Sequence, residues 1–257
     1  MLELKNINKN YNPGTVNELC LFENFNLTIQ DGEFVSVVGS NGSGKTSMLN
    51  IICGTIPVDS GSILVSGTDI VNQKDYIRHR RIGRVYQDPS KGTCPSMTIL
   101  ENMSIADNKG KGYGLGRGVN KARAEHYREM LRDLNLGLEN QMETKVGSLS
   151  GGQRQTLALL MATMNPIEFL ILDEHTAALD PKTAEIIMEL TDKIVKEKKV
   201  TTIMVTHNLR YAVEYGDRLI MMHQGHCVMD KAGKDKEDTS IDEILTMFNE
   251  ISIECGN

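Results

Sequence analysis

The feature that most constrains this chain is the octapeptide GSNGSGKT, residues 39–46, which follows the apolar run FVSVV and opens a helical pattern. It fits G-x-x-x-x-G-K-[ST], and a strand before it with a helix after it is the context that gives that spacing its meaning. The glycines let the backbone bend so that successive N–H groups converge on phosphate oxygens. Lys45 can then reach the β- and γ-phosphates, and the Thr46 hydroxyl can ligate magnesium. The helix that starts here adds about half a positive charge from its dipole. Gly39, Ser40, Asn41, Gly42, Ser43, Gly44, Lys45, Thr46 and Ser47 are therefore the expected nucleotide-binding residues.

The surrounding pattern is α/β. FVSVVG (34–39), FLILD (169–173) and VTTIMVT (200–206) are short apolar runs rich in β-branched residues, as in parallel strands covered on both faces. Helical patterns follow, after Lys45 and over PKTAEIIMELTDKIVKEKK (181–199), which has Pro181 in its first turn and lysines at its end. Strands alternating with helices predict a doubly wound core of the phosphate-loop type with a mostly parallel sheet. The first thirty residues differ: LELKNI and LFENFNLTI alternate at period two, predicting antiparallel strands with one wet face, joined by the turn-rich YNPGTVNE.

Between Gln87 and about Pro166 the character shifts. NKGKGYGLGRGVN (108–120) predicts a surface loop, and KARAEHYREMLRDLNL places Ala124, Tyr127, Met130, Leu131 and Leu134 on one helical face. The expected organisation is one domain over 1–257. Its α/β core, with the antiparallel β subdomain, is 1–87 and 165–257, and residues 88–164 form an inserted helical subdomain. KAGKDKEDTS near the end predicts a charged turn, and IDEILTMFNEI a short amphipathic helix.

Composition excludes several classes. A chain of 257 residues buries an ample core without staples. LALLMATM (157–164) and FLIL fall far short of the ~20 apolar residues of a membrane span. MLELKNINKN has no apolar stretch of the kind a signal peptide needs. Five cysteines without a CxxC pair indicate neither a disulfide framework nor a zinc knuckle, so a soluble protein of a reducing compartment is expected. Net charge of −6, no tryptophan and 5% aromatic residues argue against nucleic acid as a partner. Fourteen methionines suit adaptable core packing.

FLILDE (169–174) puts two carboxylates at the C-terminal end of a buried strand, the end where ligands bind in open α/β sheets. Asp173 is expected to hold magnesium through water, and Glu174 to act as general base on an attacking water. LSGGQRQ (149–155) completes the set. With these three motifs the chain resembles the ATP-binding cassette (ABC) family, the nucleotide-hydrolysing subunits of membrane transporters, and the resemblance covers essentially its whole length.

That resemblance implies further roles. Tyr11 would stack on adenine. Gln87, in VYQDPS, would link core to helical insertion and sense magnesium and the attacking water, joining Thr46 and Asp173 at the metal. Ala178, Leu179 and Asp180 would touch an opposite subunit, and His207 would contact the γ-phosphate. Lys45, Gln87, Glu174 and His207 thus form the implied catalytic set. Ser150, Gly151, Gly152 and Gln153, at a helix N-terminus, would meet the γ-phosphate held by a second subunit, so that two chains sandwich two ATP molecules.

The implied partners are a second ATPase subunit, expected as a homodimer, and separate transmembrane permease subunits reached through the 88–105 region. An importer adds an extracytoplasmic solute-binding protein. Such a subunit works at the cytoplasmic face of the membrane. DEHTAALDPKTA is similar to bacterial amino-acid uptake cassettes of the tryptophan/tyrosine type, and splitting cassette from permease favours import. The alternatives are an exporter cassette and a cytosolic ATPase acting on ribosomes or DNA, which usually carries two cassettes or a long coiled coil.

Two departures stand out. His175 replaces the proline that commonly follows the second carboxylate, and is expected to face the partner subunit or a neighbouring loop, without a catalytic role. TLALLMATM replaces the usual basic-residue-containing helix after LSGGQRQ, as plain core packing.

Overall fold

The computed structural model describes residues 1–112 and 118–254. The first elements are β1 (Leu2–Tyr11), β2 (Leu19–Ile29), β3 (Phe34–Gly39), α1 (Lys45–Cys53), β4 (Ser60–Val65), β5 (Thr68–Asp69) and α2 (Asp75–Arg78). Next come β6 (Ile82–Val85), α3 (Ile99–Asp107), α4 (Ala124–Arg132), α5 (Gly151–Thr163), β7 (Phe169–Asp173) and α6 (Pro181–Lys198). The chain continues through β8 (Thr201–Val205), α7 (Leu209–Glu214), β9 (Arg218–His223), β10 (His226–Ala232), α8 (Lys234–Glu237) and α9 (Ile241–Glu254). These elements gather into two compact units, Met1–His79 with Lys198–Asn257, and Arg80–Glu197.

In the first unit, β2-β1-β4-β5 form an antiparallel sheet, with Leu4 opposite Leu27 and Leu2 opposite Ile29. Leu2, Leu4, Ile7, Leu27 and Ile29 are buried, as the period-two alternation predicts. The same unit carries the strand order β10-β9-β3-β8, in which β3 runs parallel to β8 and β9. Every residue of β3 and of β8 is buried. The one polar residue of β3, Ser36, donates its hydroxyl to the Tyr215 carbonyl at 2.9 Å, so its burial leaves no hydrogen bond unmade. β9 and β10 form a hairpin through Gln224 and Gly225, whose φ angles of 45° and 78° are those of a primed two-residue turn. Ile244 of α9 closes a core with Val38, Ala212, Leu219, Met221 and Met229.

In the second unit, β6 and β7 pair in parallel, with Val85 beside Leu172. A separate helical core joins Ile99, Leu100 and Met103 of α3 to Tyr127 and Leu131 of α4 and Leu157 and Leu160 of α5. α3 starts with a reciprocal cap between Thr98 and Glu101. One polar network is built into this core. Asp107 accepts a 2.8 Å hydrogen bond from the Tyr127 hydroxyl and pairs with Lys111 and Arg123 at 3.1 and 3.0 Å. Burial and the Asp107 carboxylate push the Tyr127 phenol up to about 12. Burial alone would raise Asp107, but the Tyr127 and Lys111 hydrogen bonds and the Arg123 charge outweigh it and hold the carboxyl below its usual range.

Three local expectations need adjusting. The helix predicted over residues 121–136 opens as a 3₁₀ turn at Lys121–Arg123 and ends as α-helix at Arg132, with Leu134 still buried beyond it. The predicted turn in KAGKDKEDTS is the end of β10 followed by the short α8. Residues 113–117 of the predicted glycine-rich loop, and Cys255, lie outside the described residues. Cys20, Cys53, Cys94 and Cys227 are free thiols.

Candidate nucleotide-site residues in each unit

The first unit carries the phosphate loop. β3 delivers the chain to Gly39, where a Cβ would run into the Met222 carbonyl and crowd the Ser43 hydroxyl at 2.7 Å, so no larger residue fits. Gly42 and Gly44 take left-handed φ of 80° and 100°. Gly44 also lies against the Phe22 ring, where an added Cβ would meet Cζ at 3.0 Å. α1 begins at Lys45 with no side-chain cap and no acidic residue in its first turn. The positive end of its dipole is therefore left for an external anion.

Lys45 is 5% exposed, and its ammonium donates to the Gly39 and Ser40 carbonyls, both at 2.8 Å, and to the Ser43 hydroxyl at 3.3 Å. The lysine thus braces the loop it belongs to, while Asn41 and Thr46 are exposed and Ser40 and Ser47 half-buried. His207 belongs to the same end of the same strands. Val37 of β3 pairs with Val205 of β8, and Gly39 and His207 each lie two residues beyond that pair. The Thr206 amide donates to the Val37 carbonyl at 3.1 Å and so extends the register to the exposed His207. Tyr11 ends β1, half-buried, with the Lys9 ammonium 5.4 Å from its ring centroid.

The second unit carries the carboxylates. β7 is buried throughout and ends at Asp173. Glu174 follows with a left-handed φ of 50°, which costs a non-glycine residue about 1–2 kcal/mol. β6 runs level with it, so Gln87 lies two residues past Val85 just as Glu174 lies two past Leu172. The exposed Gln87 and the pair Asp173–Glu174 thus leave neighbouring strand ends together.

Arg84 is a residue that sequence reasoning missed. Its Nη2 donates to Asp173 Oδ2 at 2.8 Å, with side chains only 6% and 13% exposed. Its guanidinium carbon lies 4.6 Å from the centroid of the Tyr86 ring. The available signal was a lone arginine inside the otherwise apolar strand IGRV.

LSGGQ opens α5. Ser150 is the N-cap: its hydroxyl accepts from the Gln153 amide at 3.2 Å, and Gln153 Oε1 accepts from the Ser150 amide at 3.1 Å. The two glycines differ in their demands. A Cβ at Gly152 would strike the Thr183 methyl of α6, whereas one at Gly151 would touch Leu179 at an ordinary 3.5 Å. Gln155, also missed from the sequence, is buried and donates to the Tyr86 carbonyl at 2.9 Å, tying α5 to the residue before Gln87.

His175 corrects an expectation. Instead of facing a partner subunit or a neighbouring loop, it is 2% exposed, with Nε2 3.3 Å from Thr191 Oγ1 of helix α6. Burial lowers its pKa to about 4 and keeps the ring neutral.

The oxygen donors fit magnesium. Thr46 and Gln87 are exposed and Asp173 is half-committed to Arg84, while no cluster of three His, Cys, Asp or Glu capable of holding a metal occurs among the described residues. Magnesium is commonly held by one or two carboxylates together with substrate phosphates, not by an all-protein cage. Each unit by itself offers oxygen donors of that kind, Thr46 in the first and Asp173 and Gln87 in the second.

A phosphate loop, a strand-end carboxylate pair and a capped LSGGQ helix define an ATP-binding cassette. Residues 22–177 match the family described as ABC transporter, and the chain belongs to it, as an ATP-hydrolysing subunit of a transporter. It is 50% identical over 250 residues to the tyrosine transport ATP-binding protein of Clostridioides difficile, covering 96% of this chain and 98% of that protein. It is 32% identical over 254 residues to a spermidine/putrescine import ATP-binding protein of Haemophilus influenzae, covering 98% of this chain and 64% of that protein. Among solved structures it is similar to a dimeric, post-hydrolysis ATP-binding cassette bound to ADP and Pi. That likeness has a TM-score of 0.76 and 33% identity, over 90% of this chain and 98% of the other. Among the described residues, no helix is long and apolar enough to cross a membrane.

Proposed function

We propose that this chain energises uptake of a small solute of the aromatic amino-acid class, working as a homodimer on the cytoplasmic face of a membrane through separate permease subunits. The solute class rests on the 50% identity to a tyrosine transport subunit along nearly the whole chain. We further propose that 1–87 and 165–257 act as the α/β core and 88–164 as an inserted helical subdomain, a division supported by the separate apolar cluster that runs from Ile99 to Leu160. An extracytoplasmic binding protein would deliver the solute, and nucleic acid has no part.

In this scheme Tyr11 stacks on adenine, residues 39–47 wrap the phosphates, and Lys45 turns from its loop carbonyls to the β- and γ-phosphates. Thr46, Asp173 and Gln87 would hold a magnesium ion, which would supply positive charge against the phosphates. Glu174 takes a proton from the attacking water, and His207 holds the γ-phosphate. Ser150, Gly151, Gly152 and Gln153 of one chain meet the γ-phosphate bound by the other, so ATP closes the dimer and hydrolysis reopens it. The observation that carries the two-chain site is the start of α5, an exposed helix N-terminus with no acidic residue in its first turn.

The test is reconstitution. The chain is co-expressed with a candidate permease and placed in liposomes with a candidate solute-binding protein. ATP turnover is expected to rise when tyrosine or tryptophan loads the binding protein. A chain that sediments with ribosomes, or that ignores both amino acids while another solute stimulates it, overturns the proposal.

A further inference from the structure

Arg84 is buried beside a carboxylate that the proposed mechanism assigns to a cation, and that pairing needs a reason. The two residues are 89 apart in sequence and meet because β6 and β7 are neighbouring parallel strands. Nη2 holds Oδ2 at 2.8 Å, and stacking on the Tyr86 ring at 4.6 Å steadies the guanidinium. No basic residue of α5 is free for this role: its one arginine, Arg154, bonds the Gly147 and Leu149 carbonyls at 3.1 and 3.2 Å. The charge facing Asp173 comes from the strand that leads into Gln87.

We propose that Arg84 is a positioning residue that makes divalent-cation binding depend on nucleotide. It neutralises Asp173 and takes up one lone pair of Oδ2, so the carboxylate offers a cation less charge and fewer free lone pairs. A divalent ion arriving alone meets a carboxylate already paired with a positive charge, at short range and in a poorly solvated place where Coulomb terms are large. An ion arriving with phosphates brings its own negative charge and does not need the full carboxylate. The inference rests on the assignment of Asp173 to the metal.

The experiment measures Mn2+ binding to the purified full chain by electron paramagnetic resonance, with and without ADP. Wild type, Arg84→Met, Arg84→Gln and Asp173→Asn are compared, with circular dichroism to confirm folding. Without nucleotide, Arg84→Met and Arg84→Gln are expected to bind Mn2+ at least tenfold more tightly than wild type. The gain should vanish when Asp173→Asn is added. Glutamine can still donate to Asp173, so it carries the test if the methionine variant does not fold. A purely structural arginine would only weaken binding when removed. Unchanged or weaker Mn2+ binding in a folded Arg84 variant overturns the inference, while loss of Mn2+–ADP binding in Asp173→Asn leaves the metal assignment standing. If Asp173→Asn binds Mn2+–ADP as wild type does, the metal assignment fails and the inference fails with it.

Discussion

Thr191 Oγ1 lies 3.3 Å from His175 Nε2 and gives its own hydrogen to the Ile187 carbonyl at 2.7 Å. With that hydrogen committed, the imidazole is the donor of the pair, so the neutral ring carries its proton on Nε2. The bond anchors the turn that follows Glu174 to the middle of α6.

A pH dependence follows from that burial. The folded value of about 4 lies below the ~6.5 of an exposed imidazole, so protonation opposes folding. The contribution is fully present above pH ~6.5 and is lost as pH falls toward 4, by up to about 3 kcal/mol. Thermal unfolding in metal-free buffer should show this acid limb in wild type and a shallower one in His175→Gln, whose amide can still donate to Thr191. Superimposable limbs would remove His175 as the cause.

Glu174→Gln keeps the shape of the strand end and removes the proposed base. Turnover should fall by ~10²–10⁴-fold, the usual span for a lost general base, while ATP still binds through the phosphate loop. The variant should elute as an ATP-bound dimer in size-exclusion chromatography with Mg-ATP. A monomer that continues to hydrolyse would contradict the assignment.

Gly152 separates packing from phosphate contact. Gly152→Ala drives a Cβ into the Thr183 methyl and should lower stability by about 1–3 kcal/mol, as overpacking does. Thr183→Ser removes that methyl, so the double variant should recover most of the loss. Urea melts of the four proteins give the coupling directly, and additive losses would rule out the steric explanation.

The two-chain site can be tested by complementation. Ser150→Arg obstructs the helix N-terminus, and Lys45→Ala removes the charge opposite the phosphates, so each homodimer should be inactive. In a mixed dimer one composite site carries both defects and the other carries neither. Partial recovery of ATPase activity on mixing is expected. A control crosslink, between cysteines placed in the signature and the opposing phosphate loop of Glu174→Gln chains, must form with Mg-ATP. Its failure would count against the sandwich.

Much of the architecture was legible in the residues because each requirement is local. A phosphate loop needs glycine at particular turns, and strands covered on both faces need unbroken apolar runs, so 34–39, 169–173 and 200–206 declare themselves. SGSILV and RLIMMH were harder. The first alternates weakly and is strand only because β1 pairs with it, and the second gains its place from β3. The cap Thr98-x-x-Glu101 was a visible start signal for α3, in a stretch whose apolar stripe is short.

What the sequence determined by itself was the local motifs: the phosphate loop, the carboxylate pair at a strand end, the LSGGQ segment and a histidine directly after a buried strand. These follow from side-chain types at fixed short spacings, where backbone sterics and hydrogen bonding leave few alternatives. What only the tertiary structure decided was which distant groups face them. Arg84 meets Asp173, His175 meets Thr191, Gln155 meets the Tyr86 carbonyl and Gly152 makes room for Thr183. Those pairings depend on strand order and on how helices pack within a unit. Burial, which strengthens the polar pairings among them, is a property of the folded chain and of no single segment.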